Sequence, residues 1–432
     1  MNYKRFLGAA SAALLIVIAI LMLVPGSWAQ SNYKTLYKFK NGKDGGLVAA
    51  GVIFDLVGNL YGTAEVGGAY GHGLVFELTP NPDGSWKEKV LYSFCSLTDC
   101  SDGDMPYAGL ILDQAGNLYG TTMDGGGPNR QGVVFELMAN LDGTWTESVL
   151  HSFSGGTDGT IPIGGLIFDK QGNLYGTTSS SGGDYGNGMV FKLTPDSDGS
   201  WTESVVYSFG NNDGEQPYGS LTFDAVGNLY GTTLYSYPNG GWGVVFKLTP
   251  NADGSWTEKL VHRFTRGRDG ASPAAGLIWD QAGNLYGTAT QGGGNGTGCD
   301  NNYGCGVVFQ LTPNQDGSWK ERVLHHFTGS KGGGVPWGSL MFDLAGNLYG
   351  TTNEGGNLSY CDGAGCGVVF KLSPNSKGGW RETVLHAFRG QQGALPRAGV
   401  IFDAAGNLYG TTPGDYRNDK TTTFGSVFEI TP

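Results

Sequence analysis

The sequence predicts an all-β fold, a seven-bladed β-propeller of four-stranded antiparallel blades, on three observations. The pattern Asp-x-x-Gly-Asn-Leu-Tyr-Gly-Thr occurs seven times, starting at Asp55, Asp113, Asp169, Asp224, Asp280, Asp343 and Asp403. Each copy belongs to a unit of about 55–60 residues, slightly longer than the common propeller repeats and suited to four strands plus loops. The units are out of phase with the chain by one strand. Residues 33–39 match the last quarter of a unit, and the seventh unit has only three strands. Pairing the N-terminal strand with the last unit closes a ring and leaves no open unit. An open β-solenoid, the alternative, has no reason to begin with the final quarter of a repeat.

The repeated stretch is a β-hairpin. An apolar run such as Gly109-Leu-Ile-Leu112 precedes the turn, and Asp113 opens it with a carboxylate that accepts backbone N–H groups. Gly116 suits the position that needs positive φ. Leu118 to Thr122 then supplies the aromatic and β-branched residues of a second strand.

Residues 1–29 read as a secretory signal. Lys4 and Arg5 precede the apolar run Phe6 to Val24, and Ser27 and Ala29 form a small-x-small cleavage site. An uncleaved membrane anchor is the alternative, since the run approaches spanning length. The chain is expected in an extracellular, cell-surface or periplasmic location, with a membrane contact only through this segment if it is retained.

The mature chain expected after cleavage opens with Tyr33 to Phe39, which matches Glu88 to Phe94, Glu203 to Phe209 and Glu382 to Phe388. In the first full unit the strands are Val52 to Asp55, Leu60 to Ala64, Gly73 to Thr79 and Trp86 to Phe94. The blades fall at about 47–94, 109–153, 164–209, 219–264, 276–327, 338–388, and 399–432 plus 33–39. The 77 glycines sit at recurring turn positions with no collagen period, and 12% aromatics exclude a disordered glycine-rich chain. A formal charge of −12 with few basic clusters argues against nucleic acid as a partner.

The pattern Gly-Leu-Ile-Phe-Asp-x-x-Gly-Asn-Leu-Tyr-Gly-Thr, followed by Gly-Val-Val-Phe-x-Leu-Thr-Pro, resembles the GloVer-type tandem repeat of bacterial secreted proteins. The resemblance covers nearly the whole chain after residue 29. It implies an extracytoplasmic repeat protein and carries no established activity or catalytic residues. Members often bear a C-terminal surface anchor, whereas this sequence ends in a repeat strand at Pro432. The Asp-Gly-Ser-Trp turns at Asp83, Asp253 and Asp316 also resemble sialidase Asp-boxes, one residue shorter between Asp and Gly. That role is structural and supports the blade rather than sialidase chemistry.

The repeats act as an internal control, because a residue present in one column of every blade serves the blade. His151, His262, His325 and His386 share a column that Tyr37, Tyr92 and Tyr207 fill elsewhere, so they read as outer-strand rings with a polar tip, spaced too far apart for one metal. His72 and His326 lie outside it and make a weak metal signal. The carboxylates of Asp99-Cys-Ser-Asp-Gly-Asp104 leave calcium open without EF-hand spacing; no other cofactor is implied.

Six cysteines form three close pairs, Cys95 with Cys100, Cys299 with Cys305 and Cys361 with Cys366. In an exported chain an even count suggests disulfides. Six cysteines allow fifteen connectivities, and exchange between the last two pairs, or zinc on those four, stays open.

Functional interest falls on the end of the ring where the fourth-to-first and second-to-third loops lie. One column there, Ala49, Tyr107, Ile163, Tyr218, Ala274, Trp337 and Arg397, leads into the innermost strands and should ring the channel mouth. The second-to-third loops add Tyr70, Tyr185, Tyr235, Tyr237, Trp242, Tyr303, Tyr360 and Tyr416. Exposed rings beside Asn, Asp and Gly suit stacking on sugars or peptide contacts, although many can equally pack the loops. The ligand-binding candidates are Tyr107, Tyr218, Trp337, Arg397, Tyr185 and Trp242. Glu65, Asp124, Asp184, Glu215, Glu354 and Asp415 are loop carboxylates at this end. A pair of them is what a glycosidic acid and base would need. There is no serine-nucleophile elbow, His-Glu-x-x-His or phosphate loop. The other charged residues follow the repeats and read as solvated strand edges. The expected function is a non-catalytic propeller that binds a glycan or an extracellular protein. A hydrolase or lyase acting on polysaccharide, and a purely structural surface protein, are the alternatives.

Overall fold

The computed structural model describes residues 31–182, 186–210, 212–236, 241–294, 299, 303–391, 393–414 and 423–432. Among them there is no α-helix, and the strands form seven antiparallel sheets. The predicted seven-bladed propeller is the observed fold.

Its unit is the hairpin turn. At Asp113, Oδ1 accepts the N–H groups of Ala115 and Asn117, both at 2.8 Å, and Oδ2 accepts Asn117 Nδ2 at 2.9 Å and the Tyr119 hydroxyl at 3.3 Å. The chain then turns at Gly116, whose φ is 90°. One carboxylate thus fastens turn, asparagine and tyrosine. The same Asp–Asn clamp is made in all seven copies.

In the first blade the ladder runs Ile53–Phe54, Leu60–Ala64, Leu74–Pro80 and Trp86–Ser93 from the axis outward. The innermost strand pairs over two residues only, fewer than its apolar run suggests. The small residues before it pack against the neighbouring blade instead. A Cβ on Gly338 would meet the Ala398 carbonyl carbon at 2.4 Å, and one on Gly399 would meet Ser339 O at 2.2 Å. The fourth blade carries an extra short strand, Glu215–Pro217, on Leu229–Tyr235.

Closure is as predicted. The N-terminal strand Asn32–Lys38 pairs antiparallel with Ser426–Thr431, from Asn32 opposite Thr431 to Lys38 opposite Ser426, with a bulge between Thr35 and Tyr37. The last blade therefore reads, from outside to axis, as the first strand of the chain followed by its final three.

The core is seven copies of one interface between blades. The phenylalanine ending each outermost strand packs on the third-strand phenylalanine of the next blade, as Phe94 does on Phe135 with ring centroids 5.0 Å apart. The motif tyrosine crosses the same seam, and Tyr119 meets Phe168 and Trp201 edge-on. The motif threonine adds a polar latch in five seams, for example Thr63 Oγ1 to Ala108 O at 3.1 Å and Thr411 Oγ1 to Ala50 O at 2.7 Å. The motif glycine is small because a ring covers it. A Cβ on Gly176 would stand 2.5 Å from Phe191 Cζ and 2.9 Å from Leu166 Cδ2. Gly176→Ala is therefore expected to cost about 2 kcal/mol by overpacking, read as a lower denaturation midpoint at unchanged m-value.

One column departs from the sequence expectation of solvated strand edges. Glu88, Glu147, Glu203, Glu258, Glu321 and Glu382 are half-buried in the seams, and Oε1 of each is buried without a hydrogen-bond partner. Each faces the ring column of the preceding blade, and all but Glu382 also face an aspartate there. Tyr92 donates to Asp102 at 2.8 Å, and His151 Nε2 lies 2.8 Å from Asp158. Burial, aided by the neighbouring aspartate, pushes Glu88, Glu258 and Glu321 up to about 7 and Glu147 up to about 8; burial alone takes Glu382 to about 7. In the closing blade Tyr33 takes this place and stacks on His386 at 3.9 Å. The four column histidines each serve a separate seam, as their spacing predicts.

Candidate functional site

The two ends of the ring differ in construction. Turns between strands one and two, and three and four, are short and built alike, so they make one regular face. The other face carries the longer loops.

The path into each innermost strand on the loop face is set by a repeated device. A left-handed residue, Met105, Ile161, Gln216, Ser272, Val335 or Leu395, precedes a proline, with φ between 53° and 59°. Its N–H donates to the loop of the previous blade, as Val335 does to Cys305 O at 2.8 Å. The proline ring then packs where a glycine of that blade leaves room, Pro106 on Gly73 and Pro162 on Gly132. Nothing in the residue types announces positive φ at an isoleucine or valine, and the sequence reading missed it. Such a conformation is unfavourable for a β-branched residue and persists because the surroundings fix it.

The next residue is the predicted mouth column. All seven members line a cavity of about 550 Å³ along the axis, whose wall is otherwise mostly apolar, including Ile53, Ile278, Met341 and Ile401, with Ser220 and Ser339 among it. The aromatic members come from alternate blades and meet across the axis. The Tyr218 hydroxyl donates to that of Tyr107, with the rings edge-on at 5.9 Å, and Tyr218 meets Trp337 at 5.7 Å. Burial pushes the Tyr218 hydroxyl up, and the tyrosine beside it adds to this. The mouth is thus a joined aromatic cluster rather than a rim of separate rings.

Glu65, from the loop after the second strand of the first blade, is 9% exposed. Burial pushes its carboxyl up to about 7, and Arg397 pulls the other way. Arg397 and Glu65 place a cation and a titrating acid at the aromatic mouth.

The other predicted residues lie further out. Trp242 is half-buried in an apolar cluster. The Arg266 guanidinium sits 4.4 Å from its ring and 4.5 Å from Tyr303, a cation–π clamp between loops. Tyr70, Tyr235, Tyr303 and Tyr360 are exposed. Tyr185, Tyr237, Tyr416, Asp184 and Asp415 lie outside the described residues.

The three local cysteine pairs are disulfides. Beside the first stands a cluster that the sequence reading passed over. His72 Nδ1 lies 2.9 Å from Asp104 Oδ2, Arg130 also pairs with Asp104, and Arg130 Nε lies 3.0 Å from Asp124. None of these residues recurs in its column, which was the available signal. Asp102, in the segment left open for calcium, accepts from Tyr92, Ser96 and Leu97. Among the described residues one group of three metal-type ligands converges, His72 with Cys95 and Cys100, and its sulfurs are bonded to each other. No helix among the described residues is long and apolar enough to cross a membrane.

Comparison with known proteins places the repeats. The family described as the Gloeobacter/Verrucomicrobia repeat matches residues 25–140, 87–299 and 299–432. No curated protein sequence matches the chain. Among solved structures, the extracellular domain of the putative hybrid two-component system BT4673 from B. thetaiotaomicron is similar at 12% identity and a TM-score of 0.51, over 92% of this chain and 39% of that one. The chain therefore spans about two-fifths of that structure's length. The gluconolactonase XC5397 of Xanthomonas campestris matches at 16% identity and a TM-score of 0.38, over 74% of this chain and 86% of that one. PorZ, a surface component of the type-IX secretion system of Porphyromonas gingivalis, matches at 14% identity and a TM-score of 0.41, over 82% and 43%. These likenesses extend to the fold alone.

Proposed function

The chain belongs to the Gloeobacter/Verrucomicrobia repeat family, and from that premise we propose that it is an exported, non-catalytic binding propeller whose mouth on the loop face recognises a glycan or a protein segment. The observation that carries this reading is the cluster of Tyr107, Tyr218 and Trp337 over an apolar cavity, with Arg397 in the same ring. Such a site offers a stacking surface for a sugar ring or an aromatic side chain, together with a charged group to orient it. Three disulfides support an oxidising compartment.

The test is a glycan array and a peptide array probed with the intact protein and with Trp337→Ala. Removing a stacked tryptophan from a small site should weaken binding on the order of 30-fold while the melting temperature changes little. Binding of equal strength by the variant would move the site elsewhere. Silence on both arrays would leave a structural role.

A second reading is favoured by Glu65, a buried carboxyl pushed up to about 7 beside the mouth. A hydrolase or lyase acting on polysaccharide would use it as the acid. Incubation of any bound glycan with the protein and with Glu65→Gln separates the two readings. Products formed by the parent and not by the variant would make it an enzyme.

A further inference from the structure

We propose that the Cys95–Cys100 disulfide is a thiol–disulfide exchange site, reduced by an external dithiol, with Arg130 as the residue that stabilises the departing sulfur. Arg130 Nη1 lies 3.4 Å from Cys100 Sγ. A cation at that distance favours the thiolate over the thiol and makes Cys100 the better leaving group. The guanidinium is held there from behind. It pairs with Asp104 and with Asp124, and Asp104 is 2% exposed with Oδ1 buried and otherwise unpartnered. Asp104 also fixes His72, whose ring nitrogen lies within 4.8 Å of both sulfurs. The side chains of His72 and Arg130 are 42% and 43% exposed, so the cluster opens to solvent. Cys95 is half-buried and Cys100 is 4% exposed, which leaves Cys95 as the sulfur an incoming thiolate reaches. Three residues of this short loop, Cys95, Asp99 and Cys100, are left-handed, with φ of 60°, 56° and 49°.

The chemistry balances as follows. A thiolate of the dithiol attacks Cys95 Sγ, a sulfur–sulfur bond forms, and the Cys95–Cys100 bond breaks with its electron pair leaving on Cys100 Sγ beside Arg130. The second thiol of the reductant loses its proton and attacks its own mixed-disulfide sulfur. Cys95 leaves as a thiolate and takes up a proton from solvent. Two electrons pass to the protein, and the reductant departs as its disulfide.

Cys361–Cys366 is the internal control. Those cysteines are 8% and 0% exposed and lie in an apolar cluster. The native full chain would be treated with dithiothreitol, quenched by alkylation at set times and mapped peptide by peptide. Cys95–Cys100 should open at least about tenfold faster than Cys361–Cys366. Arg130→Gln should slow the first by about fivefold or more and leave the second unchanged, and Arg130→Lys, which keeps the charge, should restore most of the rate. Equal rates for the two bridges, reduction only on unfolding, or a Gln variant as fast as the parent would overturn the proposal. A Gln variant that Lys does not rescue would assign Arg130 a packing role and overturn its part as the stabilising cation.

Discussion

A chain lacking residues 31–39 is expected to lose its sharp thermal transition and to associate in solution. The missing strand removes Leu36 and Phe39 from the seam between the last and first blades, and Tyr33 from the seam before it. It also removes the stack on His386 and the bond from Lys34 to Gly84 O. Truncating a buried leucine and a buried phenylalanine costs about 2–5 and about 3–5 kcal/mol respectively. Their sum is comparable to the whole net stability of a typical domain, about 5–15 kcal/mol. What remains is a three-stranded blade with Ser426–Thr431 as an unpaired edge, a template for strands of other molecules. Size-exclusion chromatography and calorimetry would show the result, and a synthetic peptide of residues 31–40 should restore the monomer by filling the edge. A truncated chain that melts within a few degrees of the parent would mean that the ring does not depend on this closure.

Stability is expected to fall as pH rises from about 6.5 to 8.5, and the glutamate column is the cause. A carboxyl whose folded value is raised holds its proton longer in the folded chain than in the unfolded one. Its contribution is fully present below the unfolded value of 4.5 and is lost as pH climbs through the folded value of about 7 to 8. Glu203 shifts the same way. The histidines oppose this at lower pH. Burial pushes His262 down, and His325 and His386 to about 4, so they destabilise the fold as pH drops below 6.5. Between about pH 4.5 and 6.5 the three histidines offset only part of the loss from the six glutamates, so the melting temperature should already be falling with pH before the steeper limb above 6.5. Above 6.5 the histidines are neutral in both states and the glutamates act alone. After discounting for partial exposure, their sum should lower the melting temperature by about 2–5 °C between pH 6.5 and 8.5. Replacing all six by glutamine should flatten that limb. A flat profile in the parent would show that the seams admit enough water to solvate the ionised carboxylates.

The ring was legible because one feature of the sequence is periodic and its phase is informative. Seven hairpins require seven sheets, and a lone strand at residues 33–39 has one place to go. The mouth column was legible by the same logic, as positions following a recurring Asp-Gly-x-x-Pro segment. Its geometry was not. That Tyr218 reaches across the axis to Tyr107 and Trp337 depends on the left-handed residues before the prolines, and side-chain identity does not encode those. The glutamates misled for a related reason. Alternation along an outermost strand separates its two faces, but in a propeller the second face looks into the next blade. Tyr33 in the glutamate position was the clue, since an aromatic ring there has no use for solvent. The cluster of His72, Asp104 and Arg130 was hidden because its members stand far apart in the chain, on three successive loops.

Asn32 and Thr431 lie side by side in the closing blade, at the end of the strands where the short turns are. A tether fused at Asn32 or at Thr431 would therefore leave from the same spot at the edge of the disc. It would hold the molecule by its turn side and point Trp337 and Arg397 toward the surroundings. A reporter or immobilising tag placed just before Asn32 presents the same face as one placed just after Thr431. Asn32 and Thr431 could also be joined by a few residues and the chain reopened at an exposed turn such as Asp142–Gly143, with every blade intact.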